Sequence, residues 1–173
     1  MKTKSSIWAW CLYDFANSAY AVSVLTFIFP FFFKDVLVGT GKTILIWGSE
    51  WSGAAVYPIM VSVSLGMVFL LVPILAKIAD EKAIRKKTLS YFWILGCVST
   101  TLMFFLRDGD WVLGLVLFVL ANVGFAGGNV FYNALIKEIS TEETLGKVSG
   151  QGWALGYLGG FLALILELVL ILN

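Results

Sequence analysis

The sequence predicts an all-α membrane protein with five transmembrane helices, and three observations predict it. Of its 173 residues, 60% are hydrophobic and only 13% charged, giving a mean hydropathy of +0.91. The charges, 12 Lys+Arg and 11 Asp+Glu, are clustered, which leaves apolar runs near or above the ~20 residues needed to cross a bilayer. The basic residues are also unevenly shared between the two sides. With a cytoplasmic N-terminus, that side collects Lys2, Lys4, Lys77, Lys82, Arg85, Lys86, Lys87, Lys137 and Lys147, and the other keeps Lys34, Lys42 and Arg107. Nine against three satisfies the positive-inside rule. The expected setting is therefore multi-pass insertion in a plasma (bacterial inner) membrane, with lipid as the surrounding partner. A net charge of +1 gives no reason to expect nucleic acid, and the absence of His removes His metal sites and His general bases. No cofactor or metal is predicted. Cys11 and Cys97 fall in separate apolar segments and read as two buried thiols rather than a disulfide.

The first span is read over Ile7–Phe33. Ala19-Tyr20-Ala21 resembles a signal-cleavage pattern, but it lies mid-span and Asp14 interrupts the apolar stretch before it. The octapeptide Tyr13–Tyr20 puts a carboxylate, an amide and a hydroxyl inside this helix. An ionised Asp at the bilayer centre costs roughly 3 kcal/mol even on lenient scales. At 100° per residue, Cys11, Asp14, Asn17, Ser18, Ala21 and Leu25 share one face, flanked by Tyr13 and Tyr20. An outer loop, Lys34–Ser52, carries Gly39, Gly41, Gly48 and the pair Trp47/Trp51, whose indoles suit the membrane interface.

The second span is read over Gly53–Lys77 and the third over Thr88–Leu106. Between them, Asp80 at a helix end precedes the basic cluster Arg85, Lys86 and Lys87. That cluster serves as a topology signal, and it also permits charge-assisted contacts between helix ends. In the fourth span, Trp111–Ile136, Asn122, Asn129 and Asn133 form a narrow stripe with Tyr132 beside it. Such a stripe lines a polar cavity or makes hydrogen bonds between helices. The fifth span, Val148–Leu172, carries Gly152, Gly156 and Gly160 at four-residue spacing, a flat face for close backbone approach and, secondarily, for bending. Glu167 projects from the same face, as a hydrated structural group or a functional one. An odd number of spans places Asn173 outside, directly after apolar sequence. The expectation is thus a single transmembrane domain, 1–173, that is an incomplete part of a longer protein.

Asn17-x-x-Tyr20 in the first span is echoed by Asn129-x-x-Tyr132 in the fourth. That is the spacing expected if helices one to three repeat as four to six, as in transporters built from internal repeats. Three stretches then carry a resemblance: Tyr13–Tyr20 (YDFANSAY), Phe131–Ile136 (FYNALI) and Val148–Gly160 (VSGQGWALGYLGG). With them the chain resembles the N-terminal portion of a major facilitator superfamily transporter of the vacuole-effluxer-like group, which includes autophagy-related amino-acid effluxers. The superfamily loop signature, Gly-x-x-x-Asp-(Arg/Lys)-x-Gly-Arg-(Arg/Lys), is met only loosely. Ala76 replaces the first Gly, Asp80 matches, the second Gly is missing, and Arg85–Lys87 arrive late.

The resemblance implies twelve helices in two six-helix halves, of which these five form most of the N-terminal half. It also implies that helices one and four line a central cavity, and that the remaining C-terminal helices are partners of this segment. The function expected is secondary transport of a small polar solute, with amino-acid efflux as one form of it. Asp14 is expected as a coupling or substrate-binding carboxylate supported by Asn17, Ser18 and Tyr20; a carboxyl at membrane depth suits proton coupling. Asn122, Asn129, Tyr132 and Asn133 would hydrogen-bond solute from the facing helix. The alternative is a non-transporting structural or receptor-like membrane protein. An enzyme is not expected: an intramembrane aspartyl protease needs a second Asp at membrane depth, and Gly109-Asp110 lies in a short polar loop with Arg107 where a Gly should stand.

Overall fold

A computed structural model of the chain describes residues 4–172. Lys2 and Asn173, used above to place the two ends, lie outside the described residues. Five helices among the described residues are long and apolar enough to cross a membrane: Lys4–Leu37, Gly53–Glu81, Arg85–Phe105, Trp111–Ile139 and Leu145–Leu172. All five predicted spans are present. Each runs three or four residues past its predicted limit at one end or both. Hydropathy marks where the apolar run stops, whereas the helical hydrogen bonds continue through the charged turns.

The first span is not uniform. It consists of α1 (Lys4–Tyr20), a π-helical stretch Ala21–Phe27, α2 (Ile28–Phe32) and a second π-helical stretch Phe33–Leu37. Pro30 supplies a reason for the first of these: it has no N–H, and its ring crowds the carbonyl of Thr26, four residues back, so the helix widens before it. The five-residue bonds are explicit, with Ile28 N–H donating to Ser23 O and Val38 N–H to Phe33 O at 3.0 Å. The 100° face predicted for this helix therefore holds through Tyr20 and does not extend to Leu25.

The outer segment departs from an all-helical reading. Strands β1 (Thr43–Ile46) and β2 (Ser49–Ser52) pair antiparallel, with Thr43 opposite Ser52 and Ile46 opposite Ser49. The two-residue turn, Trp47-Gly48, has φ of 50° and 79°, the doubly positive conformation that suits a right-twisted hairpin. The sequence concealed it because Trp is an unusual residue at the first position of such a turn. Trp47 is fully exposed at the tip.

Helix α3 (Gly53–Glu81) begins at Ser52, whose Oγ accepts from Ala55 N–H at 3.2 Å. Its C-terminus is closed by paired bonds from Ala83 N–H to Asp80 O (3.2 Å) and Ile84 N–H to Ala79 O (2.9 Å), a Schellman motif. Ala83 holds the left-handed position, φ 53°. Counted from Asp80, Ala83 stands where the superfamily signature has its second Gly, so the turn survives without the residue it favours. Left-handed geometry costs a non-glycine residue about 1–2 kcal/mol. Ala83→Gly should therefore stabilise the protein by about 1 kcal/mol, read as a rise in thermal midpoint; an unchanged or lower midpoint would count against a strained Ala83. Immediately after the turn, α4 (Arg85–Leu102) begins, and Arg85 Nε pairs with Asp80 Oδ1.

The chain divides into two compact units. One contains residues up to Ile28 and from Tyr132 onward; the other is Phe29–Phe131. In the second unit, Phe29 stacks on Phe118 at 5.2 Å and Tyr57 tilts against the same ring at 5.1 Å. Helix α5 (Trp111–Ile139) meets α4 at two glycines: a Cβ on Gly124 would lie 2.5 Å from Gly96 N and 2.7 Å from Phe92 O. That close approach holds the apolar α4 against α5. Both helices still expose large apolar side chains such as Tyr91, Trp93 and Val112, as a lipid-facing surface requires.

Candidate functional site

In the first unit, α1 lies against α6 (Leu145–Leu172) along the predicted glycine face. Moving outward from the start of α6, Gly152 faces the Trp10 ring, Gly156 faces Asp14 and Ser18, Gly159 faces the Phe15 backbone, and Gly160 faces Val22. A Cβ on Gly156 would lie 2.6 Å from Asp14 Oδ2 and 3.0 Å from Ser18 Oγ. The predicted packing residues Gly152, Gly156 and Gly160 are thus all at the interface, and all three are buried. Gly159, which the four-residue spacing passes over, makes the tightest approach of all, against the Phe15 carbonyl. Its signal in the sequence was the Gly159-Gly160 pair.

The small face of α6 brings Asp14 and Ser18 of α1 to a helix–helix contact. Asp14, Asn17, Ser18 and Tyr20 are all partly exposed rather than sealed. Above the first turns, Tyr132 is sandwiched between aromatic rings. Trp10 stacks on it at 4.5 Å and 8°, and Tyr13 at 4.7 Å and 22°. Trp10 Nε1 also donates to the Tyr132 carbonyl at 3.0 Å. Tyr132 is 4% exposed, and its hydroxyl is buried without a hydrogen-bond partner. Trp10, absent from the sequence-based site, joins α1 to the end of α5. One turn before Asp14 in sequence, it was readable only as one more apolar residue.

Further along, Ser23 Oγ hydrogen-bonds the Ala19 carbonyl at 2.7 Å and also contacts Glu167 Oε1. Glu167 therefore faces protein, as its place on the glycine face predicts.

The three asparagines of α5 occupy three environments. Asn122, in the second unit, is 1% exposed, and its amide donates to Ser64 Oγ of α3 at 2.6 Å. Asn129, also in the second unit, is half-buried, and Asn133, in the first, is exposed. The stripe is thus no uniform lining: its Asn122 end is a buried interhelical hydrogen bond. In the loop signature, Asp80 pairs with Arg85 while Lys86 stays exposed. Asp110, the second carboxylate that a protease would need, accepts from Arg107 N–H at 2.9 Å in a turn before α5.

Five apolar helices, two closely packed glycine interfaces and a carboxylate held within the first of the spans define a segment of a polytopic membrane protein. Residues 2–143 match the vacuole effluxer Atg22-like family, and the chain belongs to that family. It is similar to an uncharacterized MFS-type transporter, YxiO, of Bacillus subtilis, with 34% identity over 164 residues, 95% of this chain and 37% of that protein. It is also similar to an uncharacterized protein of Aquifex aeolicus, with 29% identity over 157 residues, 91% of this chain and 36% of that protein. The chain therefore spans little more than a third of the length of these curated relatives. No solved structure matches it.

Proposed function

We propose that this chain is part of a secondary transporter that moves a small polar solute by alternating access, with amino-acid efflux the first form to test. The observation that carries this reading is Asp14, a carboxylate inside a membrane-spanning helix, beside Ser18 and over the buried Gly156. Ionisable groups at that depth are costly, and they mark solute or ion pathways by default. The family and the name of the Bacillus relative support it.

In this reading Asp14 pairs with a charged group of the solute or with the coupling ion. Asn17, Ser18 and Tyr20 complete the α1 side; Asn129, Tyr132 and Asn133 contribute from α5. Asn122, committed to Ser64, contributes by holding α5 to α3. The Gly-lined contact lets α6 slide on α1 without side-chain interlocking. The remaining helices of the whole protein supply the opposing wall.

The N-terminus is placed in the cytoplasm of a plasma or bacterial inner membrane on the distribution of basic residues. The test is reconstitution of the whole protein in liposomes preloaded with radiolabelled amino acids. Solute should leave faster than from empty-membrane controls. Identical rates across amino acids and other small polar solutes would favour the structural or receptor-like alternative. A cysteine at Lys42 reacting only with reagent inside the cell would reverse the orientation.

A further inference from the structure

Trp153 and Tyr157 of α6 are 62% and 70% exposed. Their rings meet at 5.9 Å between centroids, with planes inclined at 54°. Trp and Tyr that anchor a helix to the bilayer surface stand at its ends, where the indole N–H and the phenol hydroxyl reach water or headgroups. This pair does not. It lies roughly 12 and 18 Å inside the start of α6 at Leu145. On a lipid-facing surface the polar atoms would sit among acyl chains, so this face is one turned to protein or to a solute path.

Its level is set by Gly156. A Cβ there would lie 2.6 Å from Asp14 Oδ2, so the carboxylate rests on the same turn of α6. Tyr157 is the next residue and Trp153 is three before it. At 100° per residue they lie about 100° and 60° round the helix from Gly156, both to the same side. Along the axis neither is more than about 5 Å from it. Asp14 is itself partly open. A carboxylate and two open aromatic rings thus border one turn, and both attract the same charge: the carboxylate by its own, the rings by the negative potential over their faces. The rings offer broad apolar faces rather than a cage of oxygen ligands, which suits an organic ammonium better than a small metal ion.

We propose that Asp14, Trp153 and Tyr157 form a site for the ammonium end of an organic amine, with Asp14 pairing with the charge and the two rings covering the carbon groups beside it. The proposal rests on the reading of Asp14 as a solute-pairing group and narrows it. The positive end of the solute is what this wall recognises, and a carboxyl on the solute is not needed. An amino acid binds here by its ammonium, and so does the amine left when its carboxyl is removed.

The test is ligand-induced stabilisation of the purified whole protein at neutral pH, using an amine and a carboxylate of related skeleton: isoamylamine against isocaproate, and phenethylamine against hydrocinnamate. Both amines should raise the thermal midpoint in a concentration-dependent way, and neither carboxylate should. Trp153→Leu and Tyr157→Leu should each weaken the apparent amine affinity about fivefold or more, while Trp153→Phe and Tyr157→Phe, which keep a ring, should stay within about twofold of wild type. A side chain that merely packs would tolerate Leu as well as Phe. Equal shifts from amines and carboxylates, no shift from either amine, or unchanged amine affinity in Trp153→Leu would each overturn the proposal. Binding is read without transport. Loss of concentrative transport in Asp14→Asn, alongside an amine shift indifferent to Trp153, would therefore sink the aromatic site and leave the transporter reading standing.

Discussion

Alanine at Gly159 is expected to destabilise the protein more than the same change at any other glycine of α6. The added Cβ would overlap the carbonyl oxygen and carbon of Phe15 and lie 2.9 Å from its Cα. Backbone atoms cannot rotate aside as a side chain can, so α1 and α6 must separate and part of their buried contact is lost. Overpacking of this kind costs about 1–3 kcal/mol. Two controls bracket it. At Gly156 the nearest atoms are the ends of Asp14 and Ser18, which can shift, so Gly156→Ala should cost less, although Gly156→Leu should disrupt assembly. Gly150 has nothing within 4 Å, so Gly150→Ala should be neutral or stabilising by up to about 1 kcal/mol, alanine being the better helix former. Thermal unfolding in detergent should rank the midpoints Gly159→Ala lowest, then Gly156→Ala, then Gly150→Ala. Equal midpoints for Gly159→Ala and Gly150→Ala would show that the helices do not approach as closely as described.

Asp14→Asn in the whole protein is expected to fold normally and to lose concentrative transport. The amide keeps an acceptor oxygen and nearly the same shape, so the fit against Gly156 and Ser18 persists. The charge does not persist. A carboxylate that pairs with a solute amine or carries the coupling ion cannot be replaced by a neutral group, whereas one that only accepts hydrogen bonds can. Accumulation against a gradient should vanish while expression and thermal midpoint stay near wild type. Asn17→Ala should weaken solute affinity more than it harms folding. Wild-type accumulation by Asp14→Asn would reduce Asp14 to a packing group between α1 and α6.

Much of the fold was legible because a membrane imposes few choices. Five apolar runs had to be helices, since lipid offers backbone groups no other partner, and their number and order were readable from the charges that separate them. The face of α1 was legible for a related reason: polar residues at helical spacing in an apolar run point away from lipid. Its extension to Leu25 failed, because a 100° step assumes α-helix and the stretch beyond Tyr20 is π-helical. The hairpin at Thr43–Ser52 was missed because its turn uses Trp47 where Asn or Gly would have announced it.

The site was legible in its residue types and illegible in its partners. Asp14, Ser18 and the glycines were each marked by their own chemistry. That Asp14 meets Gly156, that Trp10 reaches Tyr132, and that Asn122 is committed to Ser64 are pairings between residues 58 to 142 positions apart in the chain. The sequence by itself determined which groups must be kept from lipid, since the cost of exposing a carboxylate or amide to lipid depends only on the group. Only the tertiary structure decided what each is buried against. That choice depends on which helices meet and at what register, and in lipid the register is set by local fit between small and large side chains, which no single helix carries.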